Sequence, residues 1–228
     1  MKLLLLSTLL LLVSSCSDQA DNPLLELQRI YKDKPSYIIV LEDMKEEGNF
    51  FTEYFQKYKV AAGEDVAITN WAPVSEEFYK KYENFLGMTI WGKDKNGNAI
   101  TTSAPPVYQY VGDEKYGQWK QDSSGNSFWE FYGKYAMLMN VMNFAGNMIY
   151  MNNYRNYTNS IASGRPYYGA QRQYGTAGSF TKRSKPNFFK RRQMRMSKSG
   201  FSNKFARASS LGRSKSSGFR SRSFGFGK

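Results

Sequence analysis

The sequence predicts an α+β protein: a small antiparallel-sheet domain with two or three helices, followed by a disordered basic C-terminal tail. Three observations support this prediction. Short runs rich in β-branched and aromatic residues alternate with Gly, Asn and Pro turn signals, as in antiparallel hairpins. Two amphipathic segments begin with helix-capping residues. The last 50 of the 228 residues hold 15 basic residues, 12 serines and no acid, a composition that buries too little apolar surface to offset chain entropy.

The first element, residues 1–15, has the layout of a secretory signal peptide. Lys2 precedes an apolar run from Leu3 to Val13, and small residues follow. This run is too short to span a bilayer as a mature helix. The residues Val13-Ser14-Ser15-Cys16 resemble the lipobox of bacterial lipoproteins. The alternative is an ordinary secretory signal in which the cysteine is incidental.

The lipobox resemblance implies a lipid anchor at Cys16. It implies a diacylglycerol thioether on Cys16, cleavage before this residue, and acylation of the new amino group by a fatty acid such as palmitate. Ser17, rather than aspartate, follows the cysteine, which in the enterobacterial sorting pattern implies the outer membrane. The expected location is therefore the bacterial cell envelope, with the protein held on a membrane.

The composition excludes several classes of active site. Cys16 is the only cysteine and the chain has no histidine. A Ser-His-Asp or Cys-His arrangement therefore cannot be built, nor can a zinc site with the usual nitrogen and sulfur ligands. Oxygen-only calcium or magnesium sites remain open, but "DKNGN" at 94–98 fits turn chemistry better than a calcium loop, because its glycine is misplaced. We predict no cofactor and no metal.

Charge divides the chain into two parts. All 19 acidic residues lie at or before Glu130, whereas residues 131–228 hold 19 basic residues. Between Cys16 and Glu130 there are 12 basic and 19 acidic residues, a net charge of −7. Such asymmetry predicts a folded head that carries a charged interaction arm.

Residues 16–35 are predicted to form the anchored N-terminus and a short helix. In "DNPLLELQRIYK", Asp21 or Asn22 is the candidate cap, and Pro23 lies in the first helical turn, where its missing amide costs little. The head, 36–151, then begins with "PSYIIVLEDM" and "FTEYFQKYKV", two strand-length runs that we expect to pair as a hairpin.

A second helix and a second hairpin are predicted next. "PVSEEFYKKYENFLG" has Ser75 as its cap, two glutamates in the first turn and Gly87 as its stop. In "MTIWGKDKNGNAITT", Asn96-Gly97 supplies the positive φ angles of a tight turn. "PVYQYVG" and "KYGQWK" are further strand candidates.

The head is predicted to end in a Met- and Asn-rich helix over 127–151. Residues 136–151 carry no charge, and asparagines at 140, 143 and 147 fall on one helical face. Three interpretations remain open: a helix packed on the head, one lying on a bilayer surface, and one spanning it, for which the run is short.

Beyond the head we predict an Asn/Tyr/Gly-rich extended linker over 152–178 and the disordered tail over 179–228. Basic residues of the tail are the candidate ligands of an anionic partner. They are Lys182, Arg183, Lys185, Lys190, Arg191, Arg192, Arg195, Arg207, Arg213, Arg220 and Arg222.

The function predicted from these features is a non-catalytic envelope lipoprotein whose tail tethers or scaffolds by binding anionic membrane, glycan or acidic protein partners. The tail can also lie on the acidic head. One alternative is an envelope hydrolase that acts on glycans through two carboxyl groups; the adjacent pairs are Glu42/Asp43, Glu46/Glu47, Glu64/Asp65, Glu76/Glu77 and Asp113/Glu114. A second alternative is nucleic-acid binding through the Arg/Ser- and Gly/Phe-rich tail, which the envelope address disfavours.

Overall fold

The structure, a computed structural model, describes residues 22–48, 50–135 and 148–197. Antiparallel sheets and helices together confirm the predicted α+β class. The described residues belong to two compact units that divide between Pro186 and Asn187. The first unit contains all the strands, and the described part of the second, residues 187–197, is helical.

A six-stranded antiparallel sheet forms the centre of the first unit. Its strands are β1 (Tyr37–Glu47), β2 (Glu53–Ala62), β3 (Asp65–Ile68), β4 (Ala72–Val74), β5 (Thr89–Lys93) and β6 (Ala99–Ile100). The order is β3-β2-β1-β5-β6, with β4 also paired to β2. Both predicted hairpins, β1–β2 and β5–β6, are confirmed. β1 is central, which explains its unbroken apolar run: Tyr37 to Leu41 are all buried.

A β-bulge interrupts the β1–β2 pairing at Glu42. Leu41 faces Tyr58 and Asp43 faces Lys57, so Glu42 has no opposite residue in the register. A bulge bends the strand and redirects the extra side chain. The bulge therefore decides where the Glu42 carboxylate lies.

The predicted helices α1 (Pro23–Ile30) and α2 (Glu76–Tyr82) are confirmed. The Asn22 side chain accepts a hydrogen bond from the backbone amide of Leu24 (3.1 Å), and Ser75 accepts one from that of Phe78 (3.1 Å). These caps satisfy amides that have no partner inside a helix. α2 ends at Tyr82, before the predicted stop at Gly87.

The helix predicted over 127–151 is wrong at both of its ends, because residues there belong to a second, three-stranded antiparallel sheet. It comprises β7 (Gly117–Gln121), β8 (Ser127–Phe131) and β9 (Ile149–Tyr150). β7 confirms the strand predicted from "KYGQWK". Residues 127–131 form a strand because they pair along β7. In this pairing Trp119 lies opposite Trp129, and their rings make an edge-on contact with 5.2 Å between centroids.

The rest of the predicted Met/Asn-rich helix is largely outside the described residues. Residues 133–135 are helical, and 136–147 are not described. Within the described ranges, no helix combines the length and apolarity needed to cross a bilayer.

The strand predicted from "PVYQYVG" is also wrong. Tyr108–Tyr110 is a 3₁₀ turn, and the backbone amides of Tyr108 and Tyr110 donate to the carbonyl oxygens of Pro105 and Val107. The segment instead supplies Val107, Tyr108, Tyr110 and Val111, all buried, to the core. Its side chains fill space against the large sheet rather than pairing along an edge.

The predicted linker over 152–178 is folded in the structure. Its first part is a helix, α3 (Met151–Ala162). Tyr154, Tyr157 and Ile161 lie at positions i, i+3 and i+7 and pack against the core. The rings of Tyr157 and Tyr167 both contact Tyr108, at 5.3 and 5.2 Å between centroids. Aromatic burial therefore replaces the extended linker with a packed segment.

Residues after α3 return to the head. The Thr176 hydroxyl donates to the carbonyl of Glu83 and accepts from the amide of Leu86 (3.2 Å), more than 80 residues away in sequence. The predicted disorder of the tail is wrong for its first residues, because Ser179–Ser184 form a helix, α4, and residues 186–197 are helical. In α4, Phe180 contacts the Tyr174 ring at 5.3 Å.

Candidate functional site

The predicted anion-binding residues lie in three parts of the chain: in or next to α4, in the helical residues 187–197, and outside the described residues. Lys182 and Arg183 are exposed on α4, and Lys185 follows its end. Helical residues 187–197 carry a further four, of which Lys190 and Arg192 are exposed. These four are Lys190, Arg191, Arg192 and Arg195. The remaining candidates, Arg207, Arg213, Arg220 and Arg222, lie outside the described residues, as does Cys16.

Lys185 already has an anionic partner within the head. Its ammonium pairs with one oxygen of the Glu42 carboxylate, and the Lys59 ammonium pairs with the other at 2.8 Å. The three side chains are 11%, 18% and 6% exposed for Lys185, Glu42 and Lys59. We call this arrangement the Glu42 cluster. It joins the bulge in β1, strand β2 and the first residue after α4.

In the Glu42 cluster, the single carboxylate of Glu42 pairs with two ammonium groups, those of Lys59 and Lys185. Burial opposes ionisation of Glu42, but hydrogen bonds and charge from Lys185 and Lys59 outweigh it and hold the Glu42 pKa below its ordinary value. The Lys185 pKa is also lowered, chiefly by burial, which outweighs the opposing effect of the Glu42 charge and hydrogen bond, and repulsion by Lys59 adds to the shift. Glu42 thus pairs with both ammonium groups, and Lys185 fastens the beginning of the basic segment to the head.

A second feature is a cavity of about 230 Å³ beside the β5–β6 turn. We call it the hairpin cavity. Its polar wall includes Asp94, Lys95 and Asn96 from the turn, and Gln109 and Asp113 from the segment around the 3₁₀ turn. The tyrosines that complete the wall are Tyr110, Tyr116 and Tyr154. Three stretches of chain that are distant in sequence thus meet at one opening.

The two carboxylates of the hairpin cavity are held in place by local hydrogen bonds. Asp94 accepts from the backbone amides of Asn96 and Asn98, both at 2.8 Å. Asp113 accepts from the amide of Lys115 (3.1 Å) and pairs with the Lys95 ammonium at 3.0 Å. In both cases burial opposes ionisation but these donors prevail, so the pKa of each carboxyl is lowered.

This arrangement bears on the predicted carboxylate pairs. Of the five adjacent pairs, only Asp113/Glu114 contributes to the hairpin cavity, through Asp113, and the second carboxylate there is Asp94. A glycosidase needs one carboxyl group with a raised pKa to act as the acid. The pKa values of both carboxyl groups in the cavity are lowered, which is opposite to the shift that an acid catalyst needs. No group of three or more acidic side chains in the described ranges has the proximity to hold a metal ion.

Sequence reasoning identified neither the Glu42 cluster nor the hairpin cavity. The spacing of Tyr154, Tyr157 and Ile161 was an available signal for α3, which carries one wall of the cavity. The bulge that places Glu42 has no local sequence signal. A comparison of the chain with protein-family models, curated proteins and solved structures finds no match. The function must therefore be argued from these residues.

Proposed function

We propose that the chain is a non-catalytic lipoprotein of the cell envelope, anchored through Cys16, whose basic C-terminal segment holds it to polyanionic surfaces. The observation that carries the proposal is the charge distribution: residues 131–228 contain 19 basic residues and no acid. Each Lys or Arg near an anionic surface contributes about 1 kcal/mol, without a requirement for precise geometry. In an envelope such surfaces are lipid headgroups, phosphorylated glycans and acidic proteins.

The described part of the basic segment supports this role in two ways. Lys182, Arg183, Lys190 and Arg192 are exposed, so an anionic surface can reach them. Lys185 forms an ion pair with Glu42. We therefore propose that Lys185 attaches the basic segment to the head and does not bind the polyanionic surface.

Truncation after Pro186 is expected to abolish binding to anionic vesicles at low salt. It removes 12 basic residues but keeps Lys185 and all the strands of the head. At about 1 kcal/mol per residue near the surface, the loss should exceed 100-fold in affinity. The measurement is co-sedimentation of the non-acylated chain, residues 16–228 with Cys16→Ser, with phosphatidylglycerol vesicles, with pure phosphatidylcholine vesicles as the reference, over a salt series.

A matched variant separates charge from chain length. Replacing the same 12 basic residues with glutamine, in the full-length chain, should lose binding as the truncation does, and raised salt should weaken only the unmodified chain. If either altered protein sediments with the anionic vesicles as well as the original, the head is the binder and the proposed role of the segment is wrong.

The anchor has its own test. In a bacterial host, Cys16→Ala should leave an unprocessed precursor that takes up no labelled fatty acid, because the acylated thiol is missing. Ser17→Ala is the matched control and should be processed normally. Normal processing and membrane retention of Cys16→Ala would show that the cysteine is incidental and that the chain is not a lipoprotein.

A further inference from the structure

We propose that the hairpin cavity binds a neutral carbohydrate residue. This role is separate from the anionic-surface binding assigned to the basic segment. It rests on the composition of the wall, on the fixed positions of the polar groups and on the balance of charge in the cavity.

The wall combines aromatic rings with planar polar groups. Tyr116 is buried and its ring contacts that of Tyr110 at 4.7 Å between centroids. Tyr154 extends from α3, and its hydroxyl lies close to the backbone of Gly112. Asp, Asn and Gln side chains complete the lining. A sugar ring presents C–H groups that pack on an aromatic ring and hydroxyl groups that donate to carboxylate or amide oxygens, so it matches both halves of this wall.

The polar groups are ordered before any ligand arrives. Asp94 is fixed by the turn that it closes, with Gly97 at φ +84°, and Asp113 is fixed by the amide of Lys115 and the ammonium of Lys95. Asp94 also accepts from the Asn98 side-chain amide at 3.0 Å. A carboxylate has about four acceptor positions, so Asp94 retains at most one position, and Asp113 is the better acceptor for a ligand. Preorganisation of this kind lowers the entropy that binding must offset.

Two polar atoms beside the cavity have unused hydrogen-bonding capacity. The Gln109 side-chain nitrogen and the Tyr110 hydroxyl are shielded from water. They interact with each other, but neither forms a hydrogen bond of good geometry, and a poorly formed hydrogen bond in a buried position costs free energy. Both belong to residues that line the cavity, so small side-chain shifts would present them to a ligand hydroxyl.

The charge of the cavity favours a neutral ligand. Two lysines, Lys93 and Lys95, and two aspartates, Asp94 and Asp113, line it, so the formal charges cancel. The cations are engaged: Lys95 pairs with Asp113, and Lys93 donates to the backbone carbonyl of Lys32 at 2.5 Å. An anion would compete with Asp113 for Lys95, and a cation would compete with Lys95 for Asp113. A volume of about 230 Å³ is below the range for drug-sized ligands and suits one sugar ring.

The hairpin cavity has a natural internal control in the β7–β8 hairpin. "DSSGN" at 122–126 forms the same turn as "DKNGN": Asp122 accepts from the amides of Ser124 and Asn126, and Gly125 has φ +81°. Lys120 forms an ion pair with Glu130 across that hairpin, whereas Lys95 pairs with Asp113, which lies outside the β5–β6 hairpin. Neither Lys120 nor Asp122 lines the hairpin cavity.

The test uses the full mature chain, residues 16–228, and a defined panel of sugars. The neutral probes are glucose, galactose, mannose, N-acetylglucosamine, maltose and chitobiose, and the charged probes are glucuronate and glucosamine. Saturation-transfer NMR should show binding of at least one neutral probe in preference to both charged probes. Titration calorimetry then gives its dissociation constant, which we expect in the millimolar range or below.

Point variants locate the binding. Lys95→Ala and Asp113→Asn should each weaken the neutral probe about tenfold, the effect of losing one hydrogen bond to a charged group. Lys120→Ala and Asp122→Asn should leave it unchanged. The inference is overturned if no neutral probe binds, if a charged probe binds more tightly, or if the two pairs of variants behave alike. Truncation after Pro186 should not alter sugar binding, because every residue that lines the cavity lies before Asn187. The sugar-binding test therefore remains valid even if the tail does not bind anionic surfaces.

Discussion

Glu42→Gln is expected to destabilise the protein by about 3–5 kcal/mol, the cost of breaking a buried ion pair by removing one partner. The variant keeps the shape of the side chain but leaves Lys59 and Lys185 facing each other with 6% and 11% of their side chains exposed. Chemical denaturation monitored by the fluorescence of the four tryptophans measures the change in the free energy of unfolding.

The matched control is Glu76→Gln. Glu76 pairs with Lys80 one helical turn away on α2, and both side chains are more than half exposed. Solvent screens such a pair, so this variant should leave the unfolding free energy nearly unchanged. A restoring change is also available: adding Lys59→Met and Lys185→Met to Glu42→Gln should recover most of the loss, because the two buried ammonium groups that paired with Glu42 are then replaced by apolar side chains. Equal effects of Glu42→Gln and Glu76→Gln would contradict the buried cluster.

The same residue predicts how stability depends on pH. The folded-state pKa of Glu42 is lowered, so its contribution is fully present above the unfolded value of about 4.3. It is lost as pH falls from that value through the folded pKa, because the unfolded state then binds the proton more readily. The difference in unfolding free energy between the original chain and Glu42→Gln should therefore shrink in acid. A difference that stays constant down to low pH would show that charge is not its cause.

Tyr108→Ala is expected to cost about 3–5 kcal/mol, the range for removing a buried aromatic ring. Tyr108 is 3% exposed and contacts Tyr157 of α3 and Tyr167, so its ring joins the 3₁₀ turn to the chain beyond β9. Loss of the ring should also reduce the hydrogen-exchange protection of α3 amides, since α3 loses a packing partner.

Two variants make the Tyr108 result specific. Tyr108→Phe keeps the ring and should retain most of the stability and the α3 protection. Tyr132→Ala removes a ring that is 37% exposed and should have a much smaller effect. Unchanged α3 protection in Tyr108→Ala would show that this helix does not depend on the aromatic contacts.

Local signals account for the elements that sequence reasoning placed correctly. Asn22 and Ser75 cap the helices that follow them, and Gly97 adopts the positive φ that the β5–β6 turn requires. Each signal acts within a few residues, so it can be read along the chain. The errors fall where distant contacts decide the structure. Residues 127–131 form a strand because β7 lies beside them, and α3 depends on the aromatic core.

The candidate sites divide in the same way. The sequence alone determined the charge asymmetry, the absence of histidine, the lipobox resemblance at Cys16 and the antiparallel α+β class, because these depend on composition or on short-range pattern. Only the tertiary structure placed Lys185 against Glu42 and brought Asp94, Asp113 and Tyr154 to one cavity. The physical reason is that a bulge and the packing of aromatic side chains distant in sequence are fixed by the whole core, and no segment contains that information by itself.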